Sequence, residues 1–223
     1  MLFRTLFVSL VVAFLTGCAF GNKIDYSQIY PQVGAKPTKL IEVAVVDERA
    51  YVLNGSKTGD YVGLIRGSYY IPYDVNTRSG EALAQDLQQS IIGGIKQAGG
   101  KAEPAASSSA QASSADRQLL TVRIKEWKSE VFMGAVLTYV LAVDVYDESG
   151  QRLASSPVSG SEGVDDYTVT GKSILTRLLA AENVASALSG LVTASDVPAA
   201  ELPAAKRAPM PLFTPRGVGD GVF

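Results

Sequence analysis

The chain carries 223 residues, with 20 Lys and Arg balanced against 22 Asp and Glu, no histidine and a single cysteine. That balance offers no basic field to nucleic acid, and the lack of histidine removes Ser-His-Asp catalysis, Cys-His catalysis and histidine-ligated zinc together. One cysteine also leaves no partner for an intrachain disulfide.

At the start, Met1-Leu2-Phe3-Arg4 places one positive charge before the apolar run Leu6-Phe7-Val8-Ser9-Leu10-Val11-Val12-Ala13-Phe14-Leu15. This is the charged-then-apolar order of a secretory signal, expected over 1–17, and the run is shorter than the about 20 residues a membrane span needs. It closes in Leu15-Thr16-Gly17-Cys18, which resembles the lipobox of bacterial lipoprotein precursors. The resemblance implies cleavage before Cys18, a diacylglyceryl group on its sulfur and a fatty acyl chain such as palmitate on its amino group. Each buried methylene adds about 0.8 kcal/mol of membrane affinity, and stable anchoring takes two or more chains. An acylated Cys18 would therefore hold the protein on membrane lipid without a spanning helix. Ala19 and Phe20 follow, with no aspartate beside the cysteine. Under the sorting rule of enteric lipoproteins this implies the periplasmic face of the outer membrane.

Residues 18–38 read as a tether, mixed polar and aromatic and broken by Gly21, Pro31, Gly34 and Pro37. A domain is expected over 39–195. Its first strand, Leu40 to Asp47, is β-branched and apolar enough to lie centrally in a sheet. From Tyr51 to Asp74, turn residues (Asn54-Gly55, Gly59, Gly63, Gly67, Pro72) mix with Tyr51, Tyr61, Tyr69, Tyr70 and Tyr73. Short hairpin strands fit the Asn54-Gly55 signal. The five tyrosines either form a candidate partner contact, since tyrosine offers broad area at small entropic cost, or cap one edge of the core. A helix follows, capped by Ser79, with Leu83, Leu87, Ile91 and Ile95 on one stripe. Gly93-Gly94 inside it cost about 1 kcal/mol each relative to alanine. Close approach to a sheet would explain them, and Gly99-Gly100 ends the helix.

The serine- and alanine-rich stretch at 104–116 cannot build a core and reads as a disordered insertion within the domain. Leu120 to Ile124 alternates as a strand and continues toward Trp127 and Val131. Met133-Gly134-Ala135 turns it into Val136 to Tyr146, where Tyr139, Leu141, Val143 and Val145 share a face. Asp147-Glu148-Ser149-Gly150 is a hairpin turn into a more polar strand from Gln151 to Ser161. A second helix is expected from Lys172 to Thr193, capped by Thr170, and residues 196–223 form a Pro/Ala/Gly-rich tail. The order β-α-β-β-β-α predicts an α+β fold: a mixed or antiparallel sheet with two helices packed on one face, the first strand pairing with the later meander.

Gly171-Lys172-Ser173 lacks the glycine that a phosphate loop needs five residues earlier, where Asp166 stands. The acidic pairs Asp47-Glu48, Asp147-Glu148 and Asp165-Asp166 fall at strand ends and turns, where acids serve solvation and local bonding. Arg49 is expected to pair with Asp47 across a loop, an exposed pair worth about 0–1 kcal/mol. No cofactor, metal ligand or catalytic residue is expected.

The lipobox at Cys18, the strand ending Val45-Val46-Asp47-Glu48-Arg49, the glycine-punctuated loop, the helix at Ala82-Leu83-Ala84-Gln85-Asp86-Leu87 and the strand Leu120-Thr121-Val122-Arg123-Ile124 together resemble the YajG-like group of bacterial lipoproteins. That resemblance spans about residues 40 to 195 and supplies no catalytic residues. The expected function is a non-enzymatic scaffold or accessory subunit of a cell-envelope assembly, with an envelope protein as partner. The alternative is a periplasmic binding module for a cell-wall fragment or other small ligand, using the tyrosine loop.

Overall fold

The computed structural model describes residues 23–105 and 116–192. The signal, Cys18, the serine-rich insertion and the tail fall outside these residues or largely so. Eight strands form one mixed sheet: β1 (Lys23–Ile24), β2 (Leu40–Asp47), β3 (Tyr61–Arg66), β4 (Pro72–Thr77), β5 (Lys101–Pro104), β6 (Arg117–Val131), β7 (Ala135–Tyr146) and β8 (Arg152–Gly163). Among the described residues four α-helices accompany them: α1 (Ala50–Leu53), α2 (Leu83–Gln97), α3 (Tyr167–Leu179) and α4 (Glu182–Leu188). The fold is α+β, as the element pattern predicts, with more strands and one more break than that pattern carries.

The organising strand is β6. One of its edges pairs antiparallel with β7, which pairs antiparallel with β8, giving the expected meander. Its other edge is shared. The first half pairs in parallel with β2, from Leu40↔Arg117 to Asp47↔Ile124, and the last residues pair in parallel with β3, from Gly63↔Ser129 to Ile65↔Val131. Beyond β2 lies β5, and beyond β3 lie β4 and then β1. Strand β2, expected as the first strand, is thus internal to the sheet and joins the meander in parallel. A shift of register between Ile124 and Glu126 changes the alternation, so Leu120, Val122 and Ile124 are followed into the core by Trp127.

Ile41, Val43, Leu120, Val122, Leu141, Val143 and Val145 face the same core as Leu83, Leu87, Ile91 and Ile95 of α2 and Ile174 and Leu178 of α3. Helices α2, α3 and α4 therefore cover one sheet face. Their ends differ from the sequence reading. Ser79 does not cap α2; its Oγ accepts from Glu81 N at 3.1 Å, and the helix begins four residues on, after Ala82. The second helix is split at Ala180-Ala181, and its start is capped by Asp166, whose Oδ1 accepts from Thr168 N at 2.7 Å and Val169 N at 3.2 Å. Asp166 reaches two orphan donors of the first turn, whereas Thr170 already lies inside the helix.

The tether reading needs the largest correction. From Lys23 onward the segment is packed: Tyr26, Ile24 and Ile29 are buried in the main core, with Tyr26 edge-on to Trp127 at 5.3 Å. The segment then crosses the helices. Ile29 N donates to Ser90 Oγ at 3.1 Å, and Gln32 N to Thr176 Oγ1 at 3.0 Å. Gly93-Gly94 admit this segment and not the sheet; side chains there would overlap the Tyr30 ring and the Pro31 carbonyl oxygen.

Candidate functional site

The five tyrosines divide into two groups with different environments. Tyr51 and Tyr61 surround Arg49, which fills the gap on the β6 edge between β2 and β3. In that gap the Trp127 carbonyl lacks a strand partner, and Arg49 Nη1 donates to it at 3.4 Å and to the Tyr61 carbonyl. Nε and Nη2 donate to the two Asp47 carboxylate oxygens at 2.8 and 2.7 Å, and Nη2 also reaches Gly59 O at 2.9 Å. The guanidinium is completely buried, so the expected exposed pair is in fact a fully bonded internal charge. Breaking such a pair costs about 3–5 kcal/mol because it strands a charge.

Tyr51 lies 5.4 Å from the guanidinium and edge-on to Tyr61 at 5.6 Å, and its hydroxyl donates to Glu126 at 2.7 Å. Burial, followed by the Glu126 contact, pushes the Tyr51 hydroxyl above the ordinary phenol range. Tyr61 is 3% exposed beneath Lys57 Nζ at 4.7 Å, and burial with neighbouring negative charge pushes its hydroxyl up to about 12. Tyr61 is buried and Tyr51 half-buried, and both rings pack at the core edge around Arg49.

Tyr69, Tyr70 and Tyr73 point the other way. They belong to the β3–β4 hairpin, whose loop closes with Gly67 N donating to Ile71 O at 2.9 Å. Because β3 runs parallel to the end of β6, this loop lies beside the β6–β7 turn. Arg66 bridges the two hairpins, donating to Glu130 from Nε at 2.8 Å, and this contact holds the Glu130 carboxyl below its usual range. Across the same gap Tyr70 stacks on Phe132, with ring centroids 4.8 Å apart. Tyr69 and Met133 are each 93% exposed, and Tyr70, Ile71, Tyr73 and Phe132 are also exposed. One end of the sheet therefore carries a solvent-facing aromatic and apolar cluster built from two turns.

The backbone at this end is unusual. Tyr69 and Tyr70 both have φ of +62°, a left-handed conformation costing an ordinary residue about 1–2 kcal/mol. Asparagine or glycine would fit without that cost, so the tyrosines hold their positions against backbone preference. Sequence reasoning missed Phe132 and Met133. Two large apolar residues at a turn were the available signal.

Elsewhere the acids do structural work. Asp47 holds Arg49, Asp147 accepts from Ser149 N and Gln151 N across its turn at 2.9 Å each, and Asp166 caps α3. Among the described residues no cluster of acids or cysteine could hold a metal ion. A cleft of about 480 Å³ at the opposite end of the sheet is lined by Lys36, Lys39, Lys101 and Asp116. Among the described residues no helix is long and apolar enough to cross a membrane.

No family model and no curated protein matches the chain. Solved structures resemble its fold loosely. One is a Xanthomonas campestris protein of family DUF330, at 12% identity and TM-score 0.39 over 71% of this chain and 85% of that one. Another is an uncharacterised protein at 15% identity and TM-score 0.44, covering 75% of this chain and 100% of the other. A third is a Neisseria meningitidis lipoprotein at 14% identity and TM-score 0.28, covering 62% and 92%. Superpositions this loose carry nothing about function to this chain.

Proposed function

We propose that the chain is a lipid-anchored, non-enzymatic protein of the bacterial cell envelope, a scaffold or accessory subunit that works by contact. Acylated Cys18 holds it on the periplasmic face of the outer membrane, and the aromatic end of the sheet is its contact surface. The observation that supports this reading is the exposed cluster of Tyr69, Tyr70, Phe132 and Met133 on a backbone left-handed at both tyrosines. Contiguous exposed apolar groups mark interaction sites, contact energy concentrates in a few large side chains, and residues held in strained backbone cluster at functional sites.

Two measurements test it. Cys18→Ser should abolish incorporation of labelled fatty acid, and continued labelling of that variant refutes the anchor. A photo-reactive benzoylphenylalanine at position 69 or 133 should form an adduct in living cells that the same group at exposed Gln97 does not. No adduct from either position, in a protein that is folded and exported, removes the aromatic end as a contact surface.

A further inference from the structure

The geometry points to the bilayer surface itself as the occupant of the aromatic end: Tyr69, Tyr70, Phe132 and Met133 rest in the headgroup region of the membrane that holds Cys18 and fix the domain's orientation on it. This deepens the contact reading and rests on acylation of Cys18.

Few residues separate the anchor from the described domain. Lys23, the first of the described residues, stands five residues after Cys18, so the covalent reach between them is at most about 17 Å. Lys23 stands opposite Asn76 of β4, and β4 starts at the aromatic end with Pro72, paired to Arg66. The four residues from Pro72 to Asn76 span about 13 Å. Because β1 and β4 are parallel, β1 runs away from the aromatic end, and its N-terminal end is the one nearer to it. The backbone at Cys18 can thus reach the level of the tyrosines.

Tyrosine places an apolar ring in the acyl boundary and its hydroxyl among headgroups, so aromatic residues gather at membrane interfaces. Tyr69 and Tyr70 have this character, and Phe132, Ile71 and Met133 add exposed apolar area beside them. The nearby charges are paired: Arg66 with Glu130 at 2.7 Å, and Lys57 with Asp74 at 2.5 Å.

The test uses the full-length, exported protein, acylated at Cys18 and reconstituted in phosphatidylethanolamine–phosphatidylglycerol vesicles. Acylation leaves no free thiol, so Met133→Cys or Gln97→Cys takes an environment-sensitive fluorophore at one place. Lipid-borne nitroxide should quench the label at 133 and leave that at 97 bright. Adding Tyr69→Ser, Tyr70→Ser and Phe132→Ser should abolish the quenching while the protein stays on the vesicles. A bright label at 133 on vesicle-bound, acylated protein, or equal quenching at both positions, overturns the inference and leaves the anchor standing. Protein that is not acylated and does not stay with the vesicles overturns the anchor and this inference together. A protein adduct alone from position 69 in cells assigns the end to a protein partner, which overturns the lipid inference and sustains the contact reading.

Discussion

Asp86 sits in the first turn of α2 with 1% of its surface exposed, and its Oδ2 has no hydrogen-bond partner among the described residues. Burial raises its carboxyl above the ordinary value of 3.8; the Ser79 hydroxyl opposes the shift, and Asp25 and Glu81 add to it. The folded protein therefore binds this proton more tightly than the unfolded chain does. The resulting stabilisation is complete below about pH 3.8 and is lost as pH rises through the raised folded value. Asp86→Asn should match the parent at the acid end of that window and exceed it above. The expected gain is on the order of 1 kcal/mol, or about 2–4 °C in melting temperature. Glu130, Glu162, Asp147 and Asp166, whose carboxyls are lowered, push the opposite way in both proteins and cancel in the difference. A melting-temperature difference that shrinks as pH rises would contradict this account.

At the scale of elements, helix α2 shows how a local cost is offset by packing. Gly94 is a poor helix residue by about 1 kcal/mol against alanine, yet a methyl group there would meet the Pro31 carbonyl oxygen and ring. Gly94→Ala should therefore lose more than propensity returns, a net destabilisation of about 1–3 kcal/mol in urea unfolding. A gain in stability would mean that the crossing segment is not seated on the helix. The glycine pair was legible as a close approach, but its partner was not, because Tyr26, Ile29 and Tyr30 are scattered among prolines and polar residues without a period. The meander was legible because Tyr139, Leu141, Val143 and Val145 alternate over a long run, and all are buried on one face. Strands β3 and β4 were harder to read. Gly63 sits on β3 where any side chain would overlap Ser129, and β4 holds Pro72, Asp74 and Asn76, so neither shows a clean apolar alternation. Arg49 was misread for a related reason: its burial follows from the gap between two strands pairing with β6, a property of topology that no local window contains.

On the scale of the whole molecule, the tyrosines separate stability from contact. Tyr61 belongs to the buried arrangement around Arg49, so Tyr61→Ala should cost about 3 kcal/mol or more, the range of large aromatic truncations. Tyr69 is almost fully exposed with φ of +62°, so Tyr69→Gly removes a left-handed cost of about 1–2 kcal/mol. The freer unfolded chain takes back about 0.4–1 kcal/mol of that gain. The variant should be as stable as the parent or up to about 1.6 kcal/mol more so, while losing photo-adduct formation at 133 and vesicle quenching there. A protein that keeps a bulky ring where glycine fits better is trading stability for surface, and selection tolerates that trade where the surface is used. Paired urea titrations and quenching measurements on Tyr61→Ala and Tyr69→Gly would decide the matter. If Tyr69→Gly unfolds more easily and contacts lipid as before, the ring serves the hairpin, and the interface must be sought at the lysine-lined end.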